Sequence, residues 1–408
     1  MKGKGLKSKD KTYKYYQFGA LAVALCLVVT AVGIATITFS ESTGILENGN
    51  TILQKPFDFE IYIDGSDYVA INNSNGLIRI KSTNFSTVIN DCIQSVAVTK
   101  PVSVHLGTGA FYLGNASINV SDRRVHLAGN GIGQTSIRPP VNFNKWVIRG
   151  NGTNDITWNM YQQFAINGRG SLQSAGGGFY FDDSNGGHIK DVHIDHVFVE
   201  ETYSWGLKTD YAWGFCITNS IFERSHNDGG IYSDSNSNMR IIDCRFGANK
   251  GVGLKIDGKF HRVSNCEFEG NDEQGLVLIG GNNIINANLF RADSADSNDE
   301  AEIKIYGVSD WNVITNNIFD GNGVAKWGIE LIGNYNIIND NQFKGFITSN
   351  FSTMGGGNIF NGLSYNVGVP GSAGDWASYT VEDVLVWDTL NSGLYIYANS
   401  TWNQITLT

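Results

Sequence analysis

The sequence predicts an all-β chain: a single-stranded right-handed parallel β-helix with a short N-terminal capping helix, preceded by one transmembrane helix and followed by a small β module. Three observations carry this. Of 408 residues, 49 are Gly and 44 Asn against 5 Pro, and 12% are aromatic, a composition of short strands joined by tight turns. The segments VHIDHVF, CITNSIF, RIIDCRF, RVSNCEF, IINANLF, VITNNIF and IINDNQF end at Phe198, Phe222, Phe246, Phe268, Phe290, Phe319 and Phe343, at intervals of 22 to 29 residues. Each unit also carries a second short strand, GFYFDD, GLKTD, GIYSD, GLKID, GLVLIG, EIKIYG or GIELIG. A unit with one apolar row per strand cannot bury its own face and must stack on its neighbours. Leucine-rich repeats would need an L-x-x-L-x-L pattern and helical repeats long amphipathic helices; neither is present.

The elements follow in order. Residues 1–17 are a basic segment, with Lys2, Lys4, Lys7, Lys9, Lys11 and Lys14 against Asp10. Residues 18–39, FGALAVALCLVVTAVGIATITF, form a run of 22 without charge or proline, about 33 Å long as a helix and enough for a bilayer core. The lysines before it place the N-terminus in the cytoplasm and the body outside, a single-pass topology. A cleaved signal and a secreted body is the alternative, although the apolar run exceeds the usual ~7–15 residues and no A-x-A cleavage site stands between its end and Glu41. Residues 40–98 are an entry segment that includes an amphipathic helix at 86–97. The β-helix covers 99–368. Residues 369–408 alternate apolar and polar positions around Leu390-Asn391-Ser392-Gly393, as a β-hairpin module does; it either plugs the last open coil or makes contacts of its own.

Without the first 14 residues the chain holds 23 basic and 38 acidic residues, a net charge of −15, which repels phosphates and excludes a nucleic-acid partner. Cys26, Cys92, Cys216, Cys244 and Cys266 form neither a disulfide framework nor a zinc motif. Five residues before each Phe stands His193, Ile217, Ile241, Val263, Ile285, Ile314 or Ile338, an inward row. Two before stands His196, Ser220, Cys244, Cys266, Asn288, Asn317 or Asn341, a row of small or polar residues. Its end reads as an asparagine ladder bonded from coil to coil, and Cys244 and Cys266 as stacked thiols or a disulfide one coil apart.

The repeat resembles that of the pectate-lyase-like (pectin-lyase-like) right-handed β-helix superfamily. TNFSTVINDCIQSVAV (83–98), VSVHLGTGAFYLG and RVHLAGNGIGQTSIR resemble its helix-capped entry coils, including those of phage tailspike-like members, and the likeness covers about residues 60–368. It implies fold more than activity, since the fold hosts lyases, hydrolases, epimerases, adhesins and shafts. The C-terminal module is similar to tail-fibre modules, which implies a homotrimer or glycan contact. The polygalacturonase-like N-x-D-D and G-H-G patterns are half echoed by Asn227-Asp228-Gly229 and Gly251-Val252-Gly253, without the histidine. The pectate-lyase W-I-D-H pattern is echoed by His193-Ile194-Asp195-His196, with its tryptophan replaced; these read as structural.

The second strand holds the candidate site. With Phe179, Leu207, Ile231, Leu254, Leu276, Ile303 and Ile329 inward, alternation turns Tyr180, Lys208, Tyr232, Lys255, Val277, Lys304 and Glu330 outward. The next outward row is Asp182, Asp210, Asp234 and Asp257, stacked about 4.8 Å apart. Neighbouring carboxylates at that spacing suit a retaining glycosidase, and alternate ones approach the inverting separation. Asp210, Asp234, Asp257 and Lys255 are the catalytic candidates, the lysine as a lyase base. A row of like charges must take up protons or a cation, so Ca²⁺ at Asp210, Asp234 and Asp257 is the expected cofactor. The competing role is turn capping by Asp. Tyr203, Trp205, Tyr211, Trp213, Tyr232 and Asp182 are the substrate-binding candidates, because sugar rings stack on aromatic faces; the competing reading is a long loop packed by its own aromatics. The protein is thus expected to bind, and to be a candidate to cleave, a polysaccharide or cell-surface glycan; the alternative is a non-catalytic shaft or adhesive surface protein.

Overall fold

A computed structural model describes residues 57–151, 156–184, 189–294, 301–353 and 358–361, with short strands at 46–47, 50–51, 385–388, 393–398 and 401–405. The chain divides into Met1–Pro56 and Phe57–Thr408. In the first unit Leu46–Glu47 pairs antiparallel with Asn50–Thr51. The anchor expected at 18–39 lies outside the described residues, and among those no helix is long and apolar enough to cross a membrane.

The second unit is a parallel solenoid. Its strands lie in a 22-stranded sheet, which runs as two strips on either side of the small-residue bend, and a ten-stranded sheet across the core. The entry segment is more than a prelude. Phe59–Asp64, Asp67–Asn72 and Leu77–Ser82 form an antiparallel meander, and Phe59–Asp64 continues the sheet by pairing parallel with Val102–Leu106. The capping helix runs Phe85–Ser95, with the Asn84 side chain accepting from the Thr87 amide. It buries Phe85, Val88, Ile89, Cys92 and Ile93 completely, closing the apolar core that the first coil would otherwise expose.

Along the 22-stranded sheet Phe222, Phe246, Phe268, Phe290, Phe319 and Phe343 stack in register. Ring centroids from Phe246 to Phe343 are 4.5–4.9 Å apart with planes within 12°, close to the strand spacing. Phe198 does not start this column. His193–Glu200 is one unbroken strand in which Ile194 pairs with Ile217 and Val199 with Phe222. Val199 is therefore inward, and Phe198 faces out under the Arg224 guanidinium, 5.9 Å from its ring. His193 and His196 likewise leave the rows assigned to them. His196 takes the left-handed bend position that Asn219, Asp243 and Asn265 fill in later coils, so the whole motif is one residue out of step with the Phe alignment.

The expected asparagine ladder is present. Asn288 Nδ2 donates to Asn317 Oδ1 at 2.9 Å, and Asn317 Nδ2 to Asn341 Oδ1 at 3.0 Å. Upstream in the row, Cys244 and Cys266 are buried free thiols. Two more ladders escaped the sequence reading. Asn283, Asn312, Asn336 and Asn358 bond successively at the second bend. At the third, Ser225, Asn249, Asn271 and Asp293 do the same. The C-terminal module is a three-stranded antiparallel sheet of Leu385–Asp388, Gly393–Ala398 and Thr401–Ile405, one strand more than the expected hairpin.

Candidate functional site

The ten-stranded sheet sets the face on which the candidate residues stand. Its register aligns Phe179, Leu207, Ile231, Leu254, Leu276, Ile303 and Ile329, all fully buried. Parity then turns Tyr180, Lys208, Tyr232 and Lys255 outward, and the row extends one coil further back to Arg149, paired with Tyr180. Cation and aromatic alternate along it. Val277, expected outward, is 3% exposed and ends the row with an apolar cover. Asp182, Asp210 and Asp234 are in register in the next row. Asp257 is offset from Asp234 by a bulge between Ser233 and Asn236, where Ser235 takes a left-handed φ of 53°.

The four aspartates have different surroundings. Asp182 caps its turn by accepting from the Ser184 amide at 2.9 Å. Burial resists its ionisation, but the Ser184 hydroxyl and amide, Tyr180 and the Arg149 charge hold it below the usual carboxylate range. Asp210 Oδ2 accepts from the Tyr180 hydroxyl at 2.8 Å and lies 3.2 Å from Lys208 Nζ. Among the described residues its buried Oδ1 has no donor, an acceptor that a ligand hydroxyl would satisfy. Asp234 accepts from the Ser235 hydroxyl at 3.1 Å. Burial and the neighbouring Asp234 push Asp257 up, against the pull of Lys255. Among the described residues no backbone amide bonds the side chains of Asp210, Asp234 or Asp257, so turn capping accounts for Asp182 alone. Tyr232 is raised to about 12 by burial and then by Asp234, Asp257 and Asp210; it is a neutral phenol at physiological pH, with Lys255 Nζ 4.7 Å from its ring.

The aromatic candidates split between the two edges of the sheet. Trp205, before the strand Leu207–Asp210, packs on Tyr232 with centroids 5.3 Å apart. Tyr211 and Trp213 follow that strand, 58% and 46% exposed, and the Trp213 backbone bridges Lys190 and Ser237. Tyr203 is half-buried. The aromatics thus flank the acidic row rather than packing as one loop. Asp195 holds Thr218, Asn219 and His196 at 2.6, 2.9 and 2.8 Å, a clasp across the bend.

No family model and no curated protein matches the sequence, but solved structures share the architecture. The chain is similar to Geobacillus virus E2 ORF18 with a TM-score of 0.59, 15% identity, and coverage of 80% of this chain and 83% of that one. The A-module of Azotobacter vinelandii mannuronan C-5 epimerase AlgE4 gives 0.51 at 14% identity, over 70% and 94%. The PL6 family alginate lyase AlyGC gives 0.50 at 16%, over 66% of this chain but 40% of that one. The fold is the pectate-lyase-like right-handed β-helix.

Beside the outward row of this β-helix lies a feature the sequence reading missed, a cleft of about 660 Å³ lined by Asn90, Gln94, Asn115, Asn119, Lys145 and Arg149 among others. It joins the capping helix to the first coils, which lie far apart in sequence and outside the repeat. Its lining carries two cations and no carboxylate, the opposite sign to the acidic row. Among the described residues no three His, Cys, Asp or Glu side chains converge to hold a metal ion. Asp210 is engaged by Tyr180 and Lys208, and the bulge offsets Asp257 from Asp234.

Proposed function

We propose that the protein binds polysaccharide along the face formed by Tyr180, Lys208, Tyr232 and Lys255, with the acidic row at its edge, and that Asp234, Asp257 and Lys255 are its acid–base centre. The observation that carries the proposal is the Asp234–Asp257 pair. Among the described residues neither carboxylate has an ion-pair partner, the two repel, and Tyr232 interacts with both while Trp205 packs on its ring. Such a pair gains stability when a ligand supplies hydroxyl donors. The solved neighbours that carry a mannuronan epimerase or alginate lyase name support polysaccharide as the ligand class.

In cleavage, Asp257 would hold the proton that its surroundings favour and deliver it to the leaving oxygen. Asp234 would act from the ionised side, as nucleophile or base for a hydrolase, and Lys255 would take the base role in an elimination. Asp210 orients Tyr180 and Lys208. If Ca²⁺ binds, Asp234 and Asp257 would hold it, and it would supply positive charge that offsets their mutual repulsion. The 18–39 segment would hold the body outside the membrane, and the C-terminal module would make the trimer or glycan contact of a fibre.

The test is a glycan array with a reducing-sugar and unsaturated-product assay on the full-length protein, with and without Ca²⁺, comparing wild type with the Asp234→Asn/Asp257→Asn double variant. Loss of binding or cleavage at an unchanged melting temperature is the expected result. Normal binding by the double variant would move the function to another surface and favour the shaft reading.

A further inference from the structure

At the bend before the second asparagine ladder each coil needs one residue with positive φ. Asp191, Asn238 and Asn282 fill it at 53°, 59° and 60°, and Gly214 at 72°, residues for which that conformation costs little. Trp158, Phe260, Trp311 and Tyr335 occupy the same position at 65°, 64°, 61° and 55°, where a bulky side chain is strained by about 1–2 kcal/mol. These four are also exposed, at 68%, 59%, 60% and 50%. Neither turn geometry nor burial explains them.

Trp311 and Tyr335 stand on adjacent coils, with ring centroids 5.0 Å apart and planes within 15°. They make one continuous flat surface. Trp158 and Phe260 do not, because their neighbours in the column are Asp191, Asn238 and Asn282. The residues just before the two rings are Asp310 and Asn334, and Asp310 Oδ1 accepts from the Asn334 amide at 2.9 Å. Half-buried carboxylate and carboxamide groups therefore rim the platform. We propose that this edge is a second carbohydrate site, distinct from the acidic face, at which a neutral pyranose lays its C–H face on Trp311 and Tyr335 and directs hydroxyls to Asp310 and Asn334. The carboxylate on the rim disfavours an anionic sugar. A second copy of the chain fits less well, since a stable interface buries about 1,200–2,000 Å² and this patch is only two coils wide, interrupted by Asn282.

The test uses full-length protein carrying Trp311→Asn and Tyr335→Asn, because Asn already serves this turn in other coils and keeps the fold. Probes are neutral β-1,4-glucan, β-1,4-mannan and α-1,4-glucan hexasaccharides, read by tryptophan fluorescence and calorimetry. At least one should bind wild type and the Asp234→Asn/Asp257→Asn protein equally. The Trp311→Asn/Tyr335→Asn protein should bind it about tenfold more weakly, with a melting temperature no lower than wild type, and Trp158→Asn should bind it normally. Failure of all three probes, equal binding by the double variant, or a wild-type dimer that the double variant loses would each overturn the proposal.

Discussion

The third ladder ends in a way that makes a sharp prediction. Asn249 donates to Asn271 and Asn271 to Asp293, at 2.8 and 2.7 Å. Glu302 then stands where neighbouring coils carry Gly275 or Gly253, and accepts from the Asp293 amide at 3.3 Å. Both acids are fully buried. Among the described residues Asp293 Oδ2 and Glu302 Oε1 have no donor between them, so the pair is stable only while it holds a proton. Burial raises Asp293 to about 7 and Glu302 well above its ordinary value. The unfolded chain releases the Asp293 proton near pH 4. Stability from this group is therefore complete below about pH 4 and is lost as pH rises through about 7. Three pH units correspond to about 4 kcal/mol, an upper bound for a coupled pair. Asp293→Asn keeps Oδ1 for Asn271 and turns an amide donor toward Glu302, as the other members of the ladder do. It should raise stability at pH 8 by about 2–4 kcal/mol, change it little at pH 4, and flatten the slope between, with a residue left by Glu302. Urea melts at pH 4, 6 and 8 followed by circular dichroism measure this. An Asp293→Asn protein no more stable than wild type at pH 8, or one with an unchanged slope, refutes the shared-proton argument.

Phe268→Ala should cost about 3–5 kcal/mol by opening the stacked column, while Phe198→Ala, one register step outward, should stay within about 0.5–1 kcal/mol; paired urea melts check the register. Asn317→Ala strands the Asn288 backbone N–H and removes the donor of the Ile285 carbonyl bonded at 3.0 Å, while Asn341 Oδ1 keeps only the backbone N–H of residue 317, and should cost about 2–4 kcal/mol, with hydrogen exchange rising first in the coils on either side. Gly275→Ala should be worse than a usual Gly→Ala change, because its Cβ would collide with Asp293 Oδ2; a lowered melting temperature that Asp293→Asn does not restore fits that steric account.

The coils were legible because stacking repeats the same demand at each turn. A residue that must be apolar on one coil must be apolar on the next, which made the Phe column, the inward row of the second strand and the Asn288–Asn341 ladder visible as columns of sequence. Phe198 shows where that fails. A single coil with an unbroken strand moved the motif by one, and the left-handed bend residue, not the phenylalanine, was the reliable marker. Asp257 fails differently: a bulge is set by the extra residue Ser235, and parity counted from Leu254 cannot reveal that its partner strand has slipped. The other two ladders and the cleft at Lys145 and Arg149 depend on residues 22 to 30 positions apart in irregular bends, where no alternating pattern announces them.

The two outer faces of the solenoid differ in a way that bears on function. On the 22-stranded sheet the charges neutralise one another. Glu200 and Glu223 meet Arg224, Arg245 and Arg291 both reach Glu269, at 3.1 and 3.3 Å, and Lys344 meets Asp320 at 2.9 Å. A face so paired has little to gain from a charged or hydroxylated partner, since binding would exchange existing bonds for similar ones. On the ten-stranded sheet, among the described residues, Asp234 and Asp257 share no cation, Asp210 leaves one oxygen without a donor, and Asp257 is pushed toward its protonated form. Those groups lose stability in the free protein that a ligand can restore. The difference arises in the sequence itself: basic residues fall opposite the acids in the Glu223–Arg291 rows, whereas in the Asp210–Asp257 row lysine is placed two residues earlier, beside the aromatic rings. The fold supplies both faces with the same backbone, so the pattern of charges is what distinguishes them.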